Sequence, residues 1–385
     1  MMSETIYLDH AATTPMHPEV IEVMYETMKK HFGNASSIHQ LGRESRGIIE
    51  EARRTFAESI HARSQEIIIT SGGTESDNIA ILKSVEKLKG NHIITTAIEH
   101  PAVLEPLKYL SEQGYDITYL PVNEKGQVTL EQIKNAVRQE TVLVSIMYGN
   151  NEIGSLMPIQ EIGQYLKEVD PKIIFHTDAV QAYGTEDIDV KASEIDLLSV
   201  SAHKINGPKG IGFLYKSDNI TLNPLIRGGE QEKNMRAGTE NLPAIAGFKK
   251  AVELRKDNKE ELKATNLYFK KLLLSKLKEN HVDFSINGSI EGSLAHIISL
   301  HLTGVPSSKL LIHLDLANIA VSTGSACSAG TVGPSHVLTA LHGEDDPAIG
   351  ETLRISFGIG VKEEDIMKTV DKIKQAVVFL KNKKV

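Results

Sequence analysis

The chain has 385 residues, enough for two to three domain units of about 150 residues and a large core. A formal net charge of −8 offers no basic face for direct nucleic-acid binding, and no apolar run approaches the ~20 residues of a membrane span. A single cysteine excludes an intrachain disulfide and any multi-cysteine metal or cluster site.

The N-terminal MMSETIYLDHAATTP lacks the basic and apolar regions of a signal peptide, so a cytoplasmic location is expected. From about residue 66 to 216, short β-rich runs alternate with amphipathic stretches. EIIIT reads as a strand and TESDNIAILKSVEKL as the helix after it. HIITTA precedes HPAVLEPLKYLSEQG, and DITYLPV precedes TLEQIKNAV. TVLVSIMYG, PIQEIGQYLKEV, KIIFHTDAV and IDLLSVSAH continue the pattern, which ends in the hairpin-like GIGFLYK. The apolar runs are continuous, as in strands covered on both faces, and the alternation implies a mostly parallel α/β sheet. A long helical segment follows, from NLPAIAGFKKAVEL to KLKEN, with the charged RKDNKEE as an expected kink or domain boundary. Beyond it DFSING, HIISLHL, IAVST and TLRISF read as strands. SSKLLIHLDL and KEEDIMKTVDKIKQAVVFLKN read as helices, giving a smaller α+β domain.

Ligands of such sheets bind at the C-terminal ends of the strands, where three polar loops stand out. SGGTESDN, after EIIIT, joins two glycines, Thr74 and a helix start into a phosphate cradle. It lacks a Walker ending, and a plain βα turn capped by Thr74 explains it equally well. HTDAVQ places Asp178 at the end of the apolar KIIF, where a buried carboxylate needs donors or a cation; taken alone, a helix-capping Asp is the commoner reading. SVSAHKINGPKG puts Lys204 at a strand end, with Ser201 and His203 in reach of a phosphate. A lysine in such a pocket has a lowered pKa and reacts with carbonyls, although a single lysine usually snorkels from a turn. Together, a phosphate cradle, an acid for a pyridine nitrogen and a strand-end lysine point to pyridoxal 5′-phosphate (PLP).

Cys327 lies in VSTGSACSAGTVGPS. Free cysteines are usually buried among Val, Ile and Leu, whereas Gly, Ser, Ala and Thr make a flexible, exposed loop.

The ordered set YLDHAATTP, FGNASSIH, SGGTESDN, EHPAV, NNEIG, HTDAVQ, SAHKINGPKG, RAGTEN, GSACSAG and TLRISF covers residues 6 to about 357. It resembles the cysteine desulfurases, members of aminotransferase class V among the fold-type I PLP enzymes, and the GSAC form resembles their first group. The resemblance implies a large PLP-binding domain over 14–257 built on a mostly parallel seven-stranded sheet. A small domain of 1–13 and 258–385 would carry the cysteine loop, about 321–334. Lys204 resembles the lysine that carries PLP, Asp178 the partner of the pyridine nitrogen, and Gln181 that of the phenolic oxygen. His100 resembles the histidine stacked on the ring, where it also moves protons. Gly73, Thr74, Ser201 and His203 correspond to the phosphate site. Thr239 corresponds to the residue that reaches the neighbouring subunit's phosphate, which implies a homodimer. Asn151 and Arg354 match the residues holding the substrate carboxylate, a task that suits the guanidinium fork.

Cys327 matches the family nucleophile. Its thiolate would take the sulfur of L-cysteine as a persulfide, releasing L-alanine, and deliver that sulfur to an acceptor protein. A loop with Gly324, Ser325 and Gly330 suits both attack and delivery. Another class V enzyme, an aminotransferase or a selenocysteine lyase, is the alternative; transamination needs no Cys327. The acceptor would be an iron–sulfur scaffold, a tRNA 2-thiolation enzyme or a thiamine-pathway carrier. The end at Val385, without the longer tail of many scaffold-feeding members, tilts this expectation toward tRNA thiolation. SFGIG stands where many members have a serine–leucine–glycine–arginine run.

Overall fold

The computed structural model describes residues 5–86, 88–324 and 333–382. Its strands are β1 Ile6–Tyr7, β2 Ile67–Thr70, β3 His92–Thr96, β4 Asp116–Leu120, β5 Thr141–Ser145, β6 Ile174–Asp178, β7 Leu197–Ser201, β8 Gly212–Lys216, β9 Ser285–Ile286, β10 Ile297–His301, β11 Ile319–Ala320 and β12 Thr352–Ser356. The first large run of strands forms one seven-stranded sheet in the order β2-β8-β7-β6-β5-β3-β4. Only β8 runs against the others, pairing antiparallel with β7 and β2. All the remaining strands therefore point their C-terminal ends to one edge.

The continuous apolar runs are explained by the pleat, which sends alternate residues to opposite faces. Ile67 and Ile69 join the cluster under helices Gln40–Glu58 and Ile159–Val169, whereas Ile68 joins the one under Gly73–Ser84 and Pro101–Glu112. Phe213 and Tyr215 against Leu214 repeat the division on β8.

A third apolar cluster gathers the antiparallel sheet β12-β10-β9 and helices Ser307–Leu316 and Glu363–Asn382. Short β1 pairs with β11, and isolated bridges at Asp9–Ser356 and Ser322–Arg354 stitch both to β12. The stretch RKDNKEE is not a kink. It lies inside one continuous 38-residue helix, Leu242–Glu279, about 57 Å long at 1.5 Å per residue. Lys, Arg and Glu are strong helix formers, so the charged stretch continues the helix. Leu242 to Val252 pack into the large-sheet core, and Phe269, Leu273 and Leu277 into the small-sheet cluster.

Helices Pro18–Lys30 and Gln40–Glu58 had no counterpart in the strand–helix alternation read from residue 66 onward. Both pack on the long helix. Ile21, Met28, Phe32 and Ile38 nevertheless stay exposed, Ile38 at 91%. No described helix is long and apolar enough to cross a membrane.

Candidate active site

The edge where the parallel strands end holds a cleft of ≈ 180 Å³. It is lined by Gly73, Thr74, His100, Asn151, Asp178, Gln181, Ser201, His203 and Lys204, with Ala12, Asp77 and Met147 among the other walls. Each of the expected residues follows a strand end: Gly73 and Thr74 after β2, His100 after β3, Asn151 after β5, Asp178 closing β6, Ser201 closing β7.

Gly72, not Thr74, is the N-cap of helix Gly73–Ser84, and it contributes no capping side chain. The first N–H groups of that helix are therefore uncapped at the cleft wall. Gly73 approaches so closely that a Cβ there would sit 2.7 Å from Val180 Cγ2. Ser201 is buried close to this turn, and His203 Nδ1 lies 3.1 Å from Thr13 Oγ1.

Asp178 caps a turn and no helix: its Oδ1 accepts from Val180 N at 2.8 Å. It is 6% exposed and forms no ion pair among the described residues. Burial first, and then the nearby Asp77 carboxyl, push it up to about 7. Two further carboxyls lie near it, Asp77 on the cleft wall and Glu99 buried behind it. Asp77 is driven to about 7 by burial and lies 3.5 Å from His176 Nε2. Glu99 is driven to about 8 by burial, with its Oε1 accepting from Thr96 Oγ1 and Met147 N. Burial thus holds these carboxyls largely protonated near neutral pH, with Lys204 across the cleft acting against that on Asp178.

Lys204 does not snorkel. Its Nζ donates to Ala11 O at 2.5 Å and Ala12 O at 2.8 Å, which turns the amine into the cleft. Gln181 Nε2 donates to the same Ala11 carbonyl at 2.9 Å. Thr14 Oγ1 donates to His203 O, and Asn206 N donates to Thr14 Oγ1, so residues 11–14 are the scaffold of the lysine turn. His100 caps helix Pro101–Glu112 by accepting from Ala102 N on Nδ1. The neutral ring therefore carries its proton on Nε2. Burial, then Lys204 and His336, pull His100 down to about 4 and keep it neutral.

Arg354 lies behind Asn151 and is fully buried. It donates through Nη1 to Asn151 O and through Nη2 to Asp9 Oδ1, both at 2.9 Å, and Nε has no partner among the described residues. SFGIG fits this frame. Phe357 packs in the small-sheet core against Phe269, and Gly358 leaves room for the buried His10 ring. Thr239 is exposed on the loop before the long helix and does not line the cleft. Cys327, with Ser325 and Gly330, lies outside the described residues.

The residues fit PLP. An uncapped helix start with a glycine wall suits its phosphate, and a buried carboxyl at the cleft floor suits its ring nitrogen. A lysine amine held in the cleft suits its aldehyde. The sequence matches the Aminotransferase class-V family over residues 6–368. It is 52% identical, over 94% of this chain and 96% of the relative, to a Bacillus subtilis (strain 168) protein provisionally named cysteine desulfurase IscS 1. It is 46% identical to cysteine desulfurase IscS of Dictyoglomus turgidum, over 99% of this chain and 96% of that one. The chain belongs to the cysteine desulfurases of aminotransferase class V. A solved NifS-like protein shares this architecture at TM-score 0.91 and 34% identity, covering 98% of this chain and 100% of that one. PLP is the cofactor of this family.

Sequence reasoning missed Asp9, Ala11, Ala12, Asp77, Glu99 and Glu152. Asp9 and the two alanines sit in the quoted YLDHAATTP, but their partners lie far along the chain, 345 residues away for Asp9 and Arg354.

Proposed function

We propose that this protein converts L-cysteine to L-alanine and stores the sulfur on Cys327 as a persulfide. The observation that carries the reading is the convergence of the Lys204 amine, the Asp178 carboxyl and the uncapped Gly73–Thr74 turn in one cleft. In this reading Lys204 holds the cofactor, Asp178 its pyridine nitrogen and Gln181 its phenolic oxygen. Gly73, Thr74, Ser201 and His203 hold its phosphate, and Thr239 reaches that of a second subunit. Asn151 and Arg354 take the substrate carboxylate, with Asp9 fixing the guanidinium. Bound PLP supplies the electron sink for the chemistry at the substrate's α and β carbons. Lys204, released, accepts the α-proton. The Cys327 thiolate bonds the substrate sulfur as the Cβ–S bond breaks, leaving its electron pair on carbon. Lys204 and the Nε2–H of His100 are the groups placed to return protons, which completes alanine.

The assignment of 14–257 to a large cofactor domain, with 1–13 and 258–385 as a small one, is supported by the two cores along the long helix. Exposed Ile21, Met28, Phe32 and Ile38 support a homodimer. Sulfur leaves to an acceptor protein, a tRNA 2-thiolation enzyme or an iron–sulfur scaffold, in the cytoplasm. With a net charge of −8, any RNA is bound by that partner.

Intact mass of the PLP-loaded protein after L-cysteine without reductant tests the core reading. Added sulfur on Cys327, alanine in solution, and loss of both in Cys327→Ser with PLP retained are expected. A keto acid with no added sulfur would instead mark a transaminase.

A further inference from the structure

Resting on the reading in which Asp178 meets the cofactor's ring nitrogen, we propose that Asp77 is a positioning residue for that carboxyl: it makes Asp178 hold a proton in the cofactor-free protein, and this is the proton the ring nitrogen takes.

The placement follows from the pleat. Leu143, Ile174 and Leu197 join the core under helices Gly73–Ser84 and Pro101–Glu112. Alternation then puts Ser145, His176, Asp178 and Ser199 on that same face, nearer the cleft. Three neighbouring strands thus turn from apolar to polar under one helix. Parallel pairing sets Ser145 beside His176 and Ser199 beside Asp178. His176 Nδ1 lies 2.8 Å from Ser145 Oγ, and its Nε2 lies 3.1 Å from Ser199 Oγ. Helix Gly73–Ser84 lays Asp77 onto this patch, 1% exposed, with Oδ1 3.5 Å from His176 Nε2. No lysine or arginine among the described residues forms an ion pair with Asp77. Burial pulls His176 down to about 4, so its ring is neutral at pH 7 and brings no counter-charge.

Asp77 and Asp178 line the same cleft. Asp178 is faced by Asp77 from the helix, His176 from its own strand, Lys204 from the turn after β7 and Glu99 from the loop after β3. After burial, Asp77 is the strongest influence raising the Asp178 carboxyl, while the Val180 N–H, His176 and Lys204 act against it. Two carboxyls in one buried wall do not both ionise cheaply, so a proton stays with them near neutral pH. A protonated Asp178 can give that proton to an unprotonated ring nitrogen. The O–H bond breaks as the N–H bond forms, and carboxylate and pyridinium arise together, each with its opposite charge beside it. A carboxylate that was already ionised would need the proton from solvent.

The test measures the PLP affinity of the full-length, cofactor-free protein by equilibrium ultrafiltration from about pH 5.5 to 8.5. The complex keeps a proton that the free carboxyl loses above its own value. Affinity is therefore full at low pH and falls as pH rises through about 7, by up to about tenfold per unit. Asp77→Asn removes the like charge and is expected to move this fall down by roughly half a unit or more. PLP affinity then stays near the parent's below about pH 6 and is roughly threefold weaker at about pH 8. Asp178→Asn is expected to lose this step, and in that background Asp77→Asn changes affinity by less than about twofold, since Asp77 acts through Asp178. Lys204 and the cofactor's own groups titrate in every variant, so the differences between profiles isolate the two carboxyls. If Asp77→Asn does not fold, Asp77→Ser carries the same comparison. A parent-like profile for Asp77→Asn, a loss equal at every pH, or the same loss in the Asp178→Asn background would overturn the proposal; the last two mark a purely structural role. Asp178→Asn with the parent's affinity and profile overturns the ring-nitrogen reading and this one with it. A changed Asp178→Asn beside an unchanged Asp77→Asn overturns this one alone.

Discussion

The two sides of the cleft handle buried charge in opposite ways. On the large-sheet side, Asp77, Glu99 and Asp178 lie close together with no lysine or arginine among the described residues in an ion pair with them, and burial holds all three carboxyls far above their ordinary range. On the small-sheet side, Arg354 is just as buried but is matched by Asp9 and the Asn151 carbonyl. A buried charge without its opposite is expensive, and a protein normally neutralises it or pairs it. In the proposed function the first side is completed by a cationic ligand group, whereas the second already has its charge matched within the fold.

The sharpest break in this comparison comes at Lys204, the cation between the two sides. Lys204→Ala is expected to abolish the visible band of the bound cofactor and cut turnover by about 10³-fold or more. An unchanged spectrum would remove Lys204 from its role. Next in size, Arg354→Met leaves Asp9 unpaired and should cost about 3–5 kcal/mol in urea unfolding of the cofactor-free protein. A loss below about 1 kcal/mol would show that water already compensates that pair. Asp178→Asn should do the reverse. It leaves cofactor-free stability unchanged or higher, because a penalised carboxyl is removed. It also weakens PLP retention by roughly 10–100-fold, the worth of one charge-assisted hydrogen bond. Retention at the parent level would mean that Asp178 does not meet the ring nitrogen.

The smallest effect is a slope with pH. Asp77, Asp178 and Glu152 near 7 and Glu99 near 8 hold protons in the fold that an unfolded chain releases near pH 4. Their stabilisation is full below about pH 4, declines as pH rises from there, and is gone once pH has passed the folded values of 7 to 8. His10, His100, His176 and His203, pulled down to about 4, act with the opposite sign only below about pH 6.5. Lys270, lowered to about 8 by burial, begins to oppose the trend only above that value. The urea midpoint of the cofactor-free protein should therefore fall between pH 6.5 and 8.0. A flat or rising midpoint would show that the carboxyls are already ionised in the fold.

The sequence by itself determined the sheet and the groups at its edge. Continuous apolar runs such as KIIF and IDLLSVS have to be strands covered on both faces, and a polar residue that ends such a run has to face the edge where ligands bind. Asp178 and Lys204 were legible for that reason, and Gly73 and Thr74 because two glycines precede a helix. RKDNKEE misled only as a kink: its helix-forming Lys, Arg and Glu carry one helix straight through, even though the two cores divide along that helix. Only the tertiary structure decided which groups serve these residues. The carbonyls of Ala11 and Ala12 aim Lys204 from 193 and 192 residues away, and Asp9 steadies Arg354 from 345. Glu152 accepts from Ser335 Oγ across 183 residues in the same manner. Strand and helix patterns are written in neighbouring residues, whereas hydrogen-bond partners of a buried polar group are set by packing, which brings distant segments together.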